Sequence, residues 1–317
     1  MPVFRIHHVT KYTYSRPVKE NSNEIRIYPF ECAEQEILLH EINITNNPDT
    51  YTYTDYWGNR TGNFSLLNAH KELVIESKLV VRTITADPLH ISSADTGFDA
   101  LQKEIKQDVQ LTELIYAEPI KLQHKIDEIV TAIMQPGKAV AHVVEACCAY
   151  IFKHFRYIKG ITNIETTVDE ILEMRSGVCQ DFAHLMLQVL RTLQIPARYV
   201  SGYICPNKNG MRGEGATHAW VEAWIPGYGW AGIDPTNNIW VTNNHVKLAV
   251  GRHFKDCTPI KGAFKGPAKQ ALSVYVSVGY EDGQVFEELN NVKMEALSTD
   301  DINALIVDDG SAGQQQQ

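Results

Sequence analysis

No stretch of 18 consecutive apolar residues occurs in this 317-residue chain, which excludes a conventional membrane-spanning helix. The start, Met1-Pro2-Val3-Phe4-Arg5, has no apolar core of a secretory signal, so the cytoplasm is the expected compartment and no membrane partner is expected. There is no basic run, and a net charge of −9 with a pI near 5.7 argues against a nucleic-acid partner. The six cysteines, at 32, 147, 148, 179, 205 and 257, form no CxxC pair and no Cys/His metal spacing. Neither a disulfide framework nor a zinc site is indicated. A calcium loop of the EF-hand kind is also missing. The expectation is therefore a chain with no metal and no cofactor.

What is present is the composition of an ordinary globular protein, 44% apolar and 21% charged, with length for two or three domains. Residues 1–86 read as strands: Phe4 to Tyr14, Ile25 to Tyr28, Ile37 to Ile44, Tyr51 to Trp57 and Leu73 to Thr85 are rich in β-branched and aromatic residues and are separated by Asn, Pro, Gly and Asp turns. That predicts a β-sandwich-like N-terminal domain. From Asp87 the pattern turns helical. Leu122, Ile126, Ile129, Val130 and Ile133 share a face before Pro136-Gly137, and a helix over Val140 to Phe155 follows, in which Cys147 and Cys148 have packing roles. A catalytic domain over 87–283 and an acidic segment over 284–317, mobile at its Gln-rich end, complete the expected organisation.

The chain is organised around Ser176 to Thr236. Phe182, Leu185, Met186, Val189, Leu190 and Leu193 follow the i, i+3, i+4, i+7 pattern of an amphipathic helix that Ile195-Pro196 stops. Cys179 then lies in the first turn, where free N–H groups and the helix dipole favour thiolate and can face a developing oxyanion. Gln180 projects about 100° from Cys179, which makes it a weak second oxyanion donor, and His184 lies too far round the helix to be the base. Further on, one strand carries His218, Trp220, Glu222 and Trp224 on one face and Ala219, Val221, Ala223 and Ile225 on the other. Pro226-Gly227-Tyr228-Gly229 turns the chain, and Asp234 follows His218 by 16 residues, so a hairpin sets the carboxylate opposite or diagonal to the imidazole.

Taken one at a time, these residues have bland explanations. A free cysteine is commonly a small core hydrophobe, a strand histidine a hydrogen-bonded core residue, and Asp-Pro a turn starter. Together they supply a nucleophile, a base and an orienter. The four tryptophans near the hairpin, Trp220, Trp224, Trp230 and Trp240, fit core packing better than a substrate groove.

The run Arg175-Ser176-Gly177-Val178-Cys179-Gln180-Asp181-Phe182-Ala183-His184, with Ala197 to Tyr203, His218-Ala219-Trp220-Val221-Glu222 and Gly229-Trp230-Ala231-Gly232-Ile233-Asp234-Pro235-Thr236-Asn237, closely resembles the core of the bacterial transglutaminase-like superfamily. His7 to Val18 and Ser22 to Pro29 resemble the N-terminal domain that precedes that core, and Gly251 to Gly262 a downstream motif in which Asp is commoner where His253 stands. The resemblance implies an α+β, papain/transglutaminase-like core, a Cys-bearing helix packed on an antiparallel sheet. It also implies catalysis by Cys179, His218 and Asp234 through a thioester on a peptide or protein amide substrate. Hydrolysis, as in a cysteine protease or amidase, is the expected outcome. Transfer to an amine, as in a protein-glutamine gamma-glutamyltransferase, and a catalytically silent peptide-binding module are the alternatives. A zinc protein using Cys179 and His218 would need more ligands than the spacing supplies.

Overall fold

The computed structural model describes residues 1–84, 88–135, 137–205, 211–213, 217–280, 285–293 and 314–316. They divide into two compact units, Met1–Thr83 with Thr258–Gln317, and Ile84–Cys257. Among the described residues no helix is long and apolar enough to cross a membrane.

The first unit opens with β1 (Val3–Ile25), β2 (Gln35–Ile44), β3 (Tyr51–Thr54), β4 (Arg60–Leu66) and β5 (His70–Thr83). Alternation builds β1: Phe4, Ile6, His8, Thr10, Tyr12 and Tyr14 are buried in step with the two-residue period of a strand. The strand continues through Pro17, where two separate strands were expected. A shift of register between Thr13 and Val18 absorbs the proline, which has no N–H to give to a ladder. Residues 26–28 fall beyond its end. The polar run Arg60-Thr61-Gly62-Asn63 conceals β4 from a reading by composition.

The second unit begins with short helices, α1 (Pro88–Ala94), α2 (Phe98–Ile105), α3 (Val109–Glu113), α4 (Gln123–Ile133) and α5 (Val140–His154). Then come β6 (Arg156–Tyr157), α6 (Val168–Met174), β7 (Ser176–Gly177) and α7 (Cys179–Thr192). A five-stranded antiparallel sheet follows, from β8 (Ala197–Ile204), β9 (Thr217–Ile225), β10 (Gly229–Asp234), β11 (Ile239–Trp240) and β12 (His245–Gly251), in the order β11-β10-β9-β8-β12. The short helix α8 (Phe254–Cys257) ends the unit. This is an α+β fold with a papain/transglutaminase-like core.

The chain then returns to the first unit as β13 (Ile260–Lys265), β14 (Gln270–Tyr280), β15 (Val285–Lys293) and β16 (Gln314–Gln316). β14 pairs with β1 over its whole length, from Phe4 opposite Tyr280 to Tyr14 opposite Gln270. Residues 258–280, expected in the catalytic domain, therefore lie with the N-terminal strands. β1 has two edges to satisfy, and the buried alternation of Leu272, Val274, Val276 and Val278 supplies the second. β15 extends this sheet from the acidic segment, and β16 pairs with β13. The remainder of that segment lies outside the described residues, whereas Gln314–Gln316, in the end expected to be mobile, form β16.

Helix α7 is central to the second unit, packed against β8 and β9 and contacted by α4, α5 and α6. Ala219, Val221, Ala223 and Ile225 join Phe182, Leu185, Met186, Val189 and Leu190 in one core. Each such large side chain removed from water contributes roughly 1.5–3 kcal/mol. A single apolar face was expected, yet Gln180, Asp181, His184, Gln188 and Arg191 are buried as well. Their polar atoms are met: Gln188 exchanges bonds with the Glu118 backbone, Arg191 donates to the carbonyls of Ala197 and Arg252, and His184 accepts from the Phe254 N–H.

Candidate active site

Cys179 is the first residue of α7 and is partly exposed. Asp181 reaches back to the Val178 N–H at 2.7 Å and receives the Thr162 hydroxyl at 2.6 Å, which fixes the start of the helix and so the bearing of the thiol. The N–H of a first helical residue has no acceptor within the helix and is free for a ligand.

His218 and Asp234 come together as the hairpin requires. Trp230 lies opposite Trp224 and Ile233 opposite Val221, a register whose continuation sets Asp234 opposite Trp220 and His218 on the diagonal. His218 Nε2 meets Asp234 Oδ2 at 2.8 Å, with both side chains fully buried. The other ring nitrogen, Nδ1, is buried without a completed hydrogen bond. Cys179 is close enough that its charge and hydrogen bonding act on the ring. The thiol thus lies beside the imidazole, short of a completed bond at Nδ1. Burial opposes a charge on His218, but the Asp234 carboxylate and Cys179 outweigh it and push the pKa up to about 10.

Three further residues, for which no role was read from the sequence, complete the setting of Asp234. Its Oδ1 accepts from the Thr236 N–H at 2.8 Å, while Oδ2 also accepts from Asn237 Nδ2 at 2.7 Å and from His245 Nε2 at 3.3 Å. His245 Nδ1 accepts from the Thr242 N–H at 3.4 Å, so the proton of this ring sits on Nε2 and is donated to Asp234. Burial would raise the pKa of Asp234, but His218 first and His245 second hold it well below the usual carboxylate range. Burial lowers the pKa of His245 in spite of the same carboxylate, which keeps that ring neutral. Asp234 is also the turn starter that its Pro235 suggested, since the Asn237 N–H bonds to its carbonyl at 3.3 Å. The turn and the carboxylate's role are one structure.

Trp220 stacks on His218 at 6.3 Å and meets His245 edge-on at 5.2 Å. Gly202, opposite His218 on β8, permits this crossing, because a Cβ there would stand 2.6 Å from the Trp220 ring and 2.1 Å from the Val246 carbonyl. The other tryptophans are held elsewhere, Trp224 by Glu104 and Trp240 by Glu145, with Trp230 under the Arg198 guanidinium. On the same face Glu222 bonds Arg198 at 2.6 Å and Lys247, and these cations overcome burial to hold its pKa down to about 2.

A metal could draw on His218, Asp234 and His245, whose ligand atoms lie within 4.8 Å of one another. As they stand, those contacts are two N–H groups donating to one carboxylate oxygen, and coordination at Nε2 would cost His218 its bond to Asp234. His184, set aside as a base, stacks on His253 at 4.4 Å, and burial depresses its pKa far below the usual value. Gln180 is buried on α7.

Residues 127–235 match the family profile of the transglutaminase-like superfamily, and residues 4–82 that of the bacterial transglutaminase-like N-terminal region. An uncharacterised protein of Mycobacterium leprae is 32% identical over 277 residues, 86% of this chain and 97% of that one. A protein-glutamine gamma-glutamyltransferase of Pseudomonas aeruginosa is 35% identical over 122 residues, 36% of this chain but 18% of its own length. Among solved structures, a candidate cysteine protease from Cytophaga hutchinsonii superposes with a TM-score of 0.66 at 21% identity, over 93% of this chain and 92% of that one.

Proposed function

Because the chain belongs to the transglutaminase-like superfamily, we propose that it is a cysteine-dependent acyl-transfer enzyme in which Cys179 is the nucleophile, His218 the acid and base, and Asp234 the group that orients and charges the imidazole. One observation supports this reading: the buried His218 ring bonds Asp234 through Nε2, has no completed bond at Nδ1, and lies close enough to Cys179 to feel its charge.

The thiolate attacks the carbonyl carbon of an amide, and the Cys179 N–H stabilises the oxyanion. Collapse breaks the C–N bond as the Nδ1 proton passes to the leaving nitrogen, which departs as an amine and leaves a thioester. Neutral His218 then takes a proton from the acceptor, whose attack on the thioester returns the thiolate.

Water is the acceptor in the reading we favour, because the partly exposed Cys179 leaves the thioester open to bulk solvent in large excess. A peptide or protein amide is then the substrate. A primary amine is the second acceptor, and the 122-residue similarity to a protein-glutamine gamma-glutamyltransferase supports it. The test is product partition: an acyl donor is supplied with a labelled primary amine, and free acid is compared with amine adduct. Hydrolysis predicts mainly free acid at millimolar amine, whereas dominant adduct selects the transferase. Cys179→Ala and His218→Ala should each abolish both products, by roughly 10³-fold or more. Turnover by Cys179→Ala would remove the nucleophile assignment.

A further inference from the structure

Asn237 is a half-buried residue just past Asp234, and one side-chain amide there serves two masters. Its Nδ2 donates to Asp234 Oδ2 at 2.7 Å and to the Arg212 carbonyl at 3.2 Å, while its Oδ1 accepts the Arg212 N–H at 2.7 Å. Both backbone groups of Arg212 are thereby pinned to the residue that also holds the triad carboxylate. The next residue, Gly213, has φ +80, and a Cβ on it would stand 3.1 Å from His218 Nδ1, 3.5 Å from Cε1 and 3.8 Å from the Tyr157 hydroxyl. The backbone at Gly213 therefore lies against the ring nitrogen that does not bond Asp234, where in the triad reading a leaving amine collects its proton. A side chain would fill that space and would strain the left-handed backbone.

Resting on the triad reading above, we infer that Asn237 is a positioning residue: it fixes the Arg212–Gly213 backbone as a wall of the leaving-group space and ties that wall to the carboxylate that orients His218. The wall limits the bulk an acyl donor can carry beside the scissile nitrogen. Asn237 acts through its neighbours and touches no reacting atom. The left-handed residue of the turn is Asn238, at φ 53, so position 237 has no need of asparagine for its backbone.

The experiment is a double-mutant cycle on the full chain with Asn237→Ala and Gly213→Ala, read as the rate of Cys179 alkylation by a small reagent, iodoacetamide, and a bulky one, a peptidyl chloromethyl ketone. Asn237→Ala should melt near the wild-type temperature and change the bulky-to-small rate ratio threefold or more, since the wall is released. Gly213→Ala should slow the bulky reagent, and at least threefold less so once Asn237 is Ala, because the freed segment can retreat. Equal scaling of both reagents in Asn237→Ala, or effects of the two substitutions that simply multiply, would overturn the inference. If Asn237→Ala fails to fold, Asn237→Ser takes its place, being too short to span Asp234 and Arg212. Wild-type Cys179 reacting no faster than the remaining cysteines would be a separate result, refuting the triad reading and this inference with it.

Discussion

Asp234→Asn tests the electrostatic core of the site with the smallest change of shape. In the wild-type protein His218 rises from 6.5 to about 10 although it is buried. That rise corresponds to roughly 5 kcal/mol of preference for the charged ring, which the carboxylate and thiol supply over and above what offsets burial. The substitution removes the carboxylate, the strongest influence opposing burial, so the ring should become neutral at pH 7. The replacement amide must also choose an orientation. Three donors converge on Oδ2 and one on Oδ1, so the amide oxygen takes the Oδ2 position and its NH₂ confronts the Thr236 N–H. One buried donor then lacks an acceptor, at about 1–3 kcal/mol of stability. Activity should fall by about 10²- to 10⁴-fold, at 1.36 kcal/mol per factor of ten. The sign of the pH effect follows from the raised pKa. The contribution of His218 to stability is fully present below 6.5 and is lost as pH rises through about 10. Wild-type melting temperatures should decline across that window, and those of Asp234→Asn should lack this component. NMR titration of the His218 ring with parallel activity and melting measurements decides. A ring still charged above pH 7 in Asp234→Asn, or activity within tenfold of wild type, would refute the reasoning.

Near pH 6, limited iodoacetamide treatment with peptide mapping should find Cys179 labelled ahead of the other cysteines, because burial raises the pKa of Cys147, Cys148 and Cys205 and keeps them as thiols. Preferential labelling of Cys205 would count against activation at the helix start. Glu222→Ala takes the shared carboxylate from two buried cations, Arg198 and Lys247, and should cost about 3–5 kcal/mol in denaturant melts. Its pKa of about 2 means that the wild-type contribution is present above 4.5 and lost as pH falls through about 2, so a variant whose acid unfolding matched wild type would contradict the assignment.

The placement of Cys179, His218 and Asp234 was readable in the sequence because each is announced locally. An apolar period of 3.6 begins at Cys179, and a Pro-Gly turn lies between His218 and Asp234 at the midpoint of their spacing. His245 and Asn237 have no such announcement. His245 pairs with Ile204 at the far edge of the sheet and reaches Asp234 only because Gly202 leaves Trp220 room to lie between the strands, a relation across 11 residues that no periodicity encodes. Asn237 reads as one more polar residue in a turn. In the first unit most of the strands, β4 excepted, were legible by composition, but the pairing of Phe4 with Tyr280 was not, since nothing local to either end selects so distant a partner. The buried polar groups of α7 escaped for a related reason. Gln188 and Arg191 look like solvent residues until the Glu118, Ala197 and Arg252 backbones are brought against them.

The dependence of the site on sheet register limits how it can vary. His218 stands on the face of β9 that carries Trp220 and Glu222, and Ala219, Val221 and Ala223 on the other pack into the core with α7. A slip of one residue between β9 and its neighbours would exchange the two sets, placing an imidazole and a carboxylate in the core and removing His218 from Asp234 at once. The apolar cost of that exchange falls on the same residues that hold α7, and hence Cys179, in place. Cys179 and His218 are thus positioned by one packing event, the docking of α7 on β8 and β9. The carboxylate follows from the hairpin that the event requires. Substitutions that loosen this interface should therefore lose activity in step with stability, whereas those at Asn237, His245 or Asp234, outside that core, should separate the two.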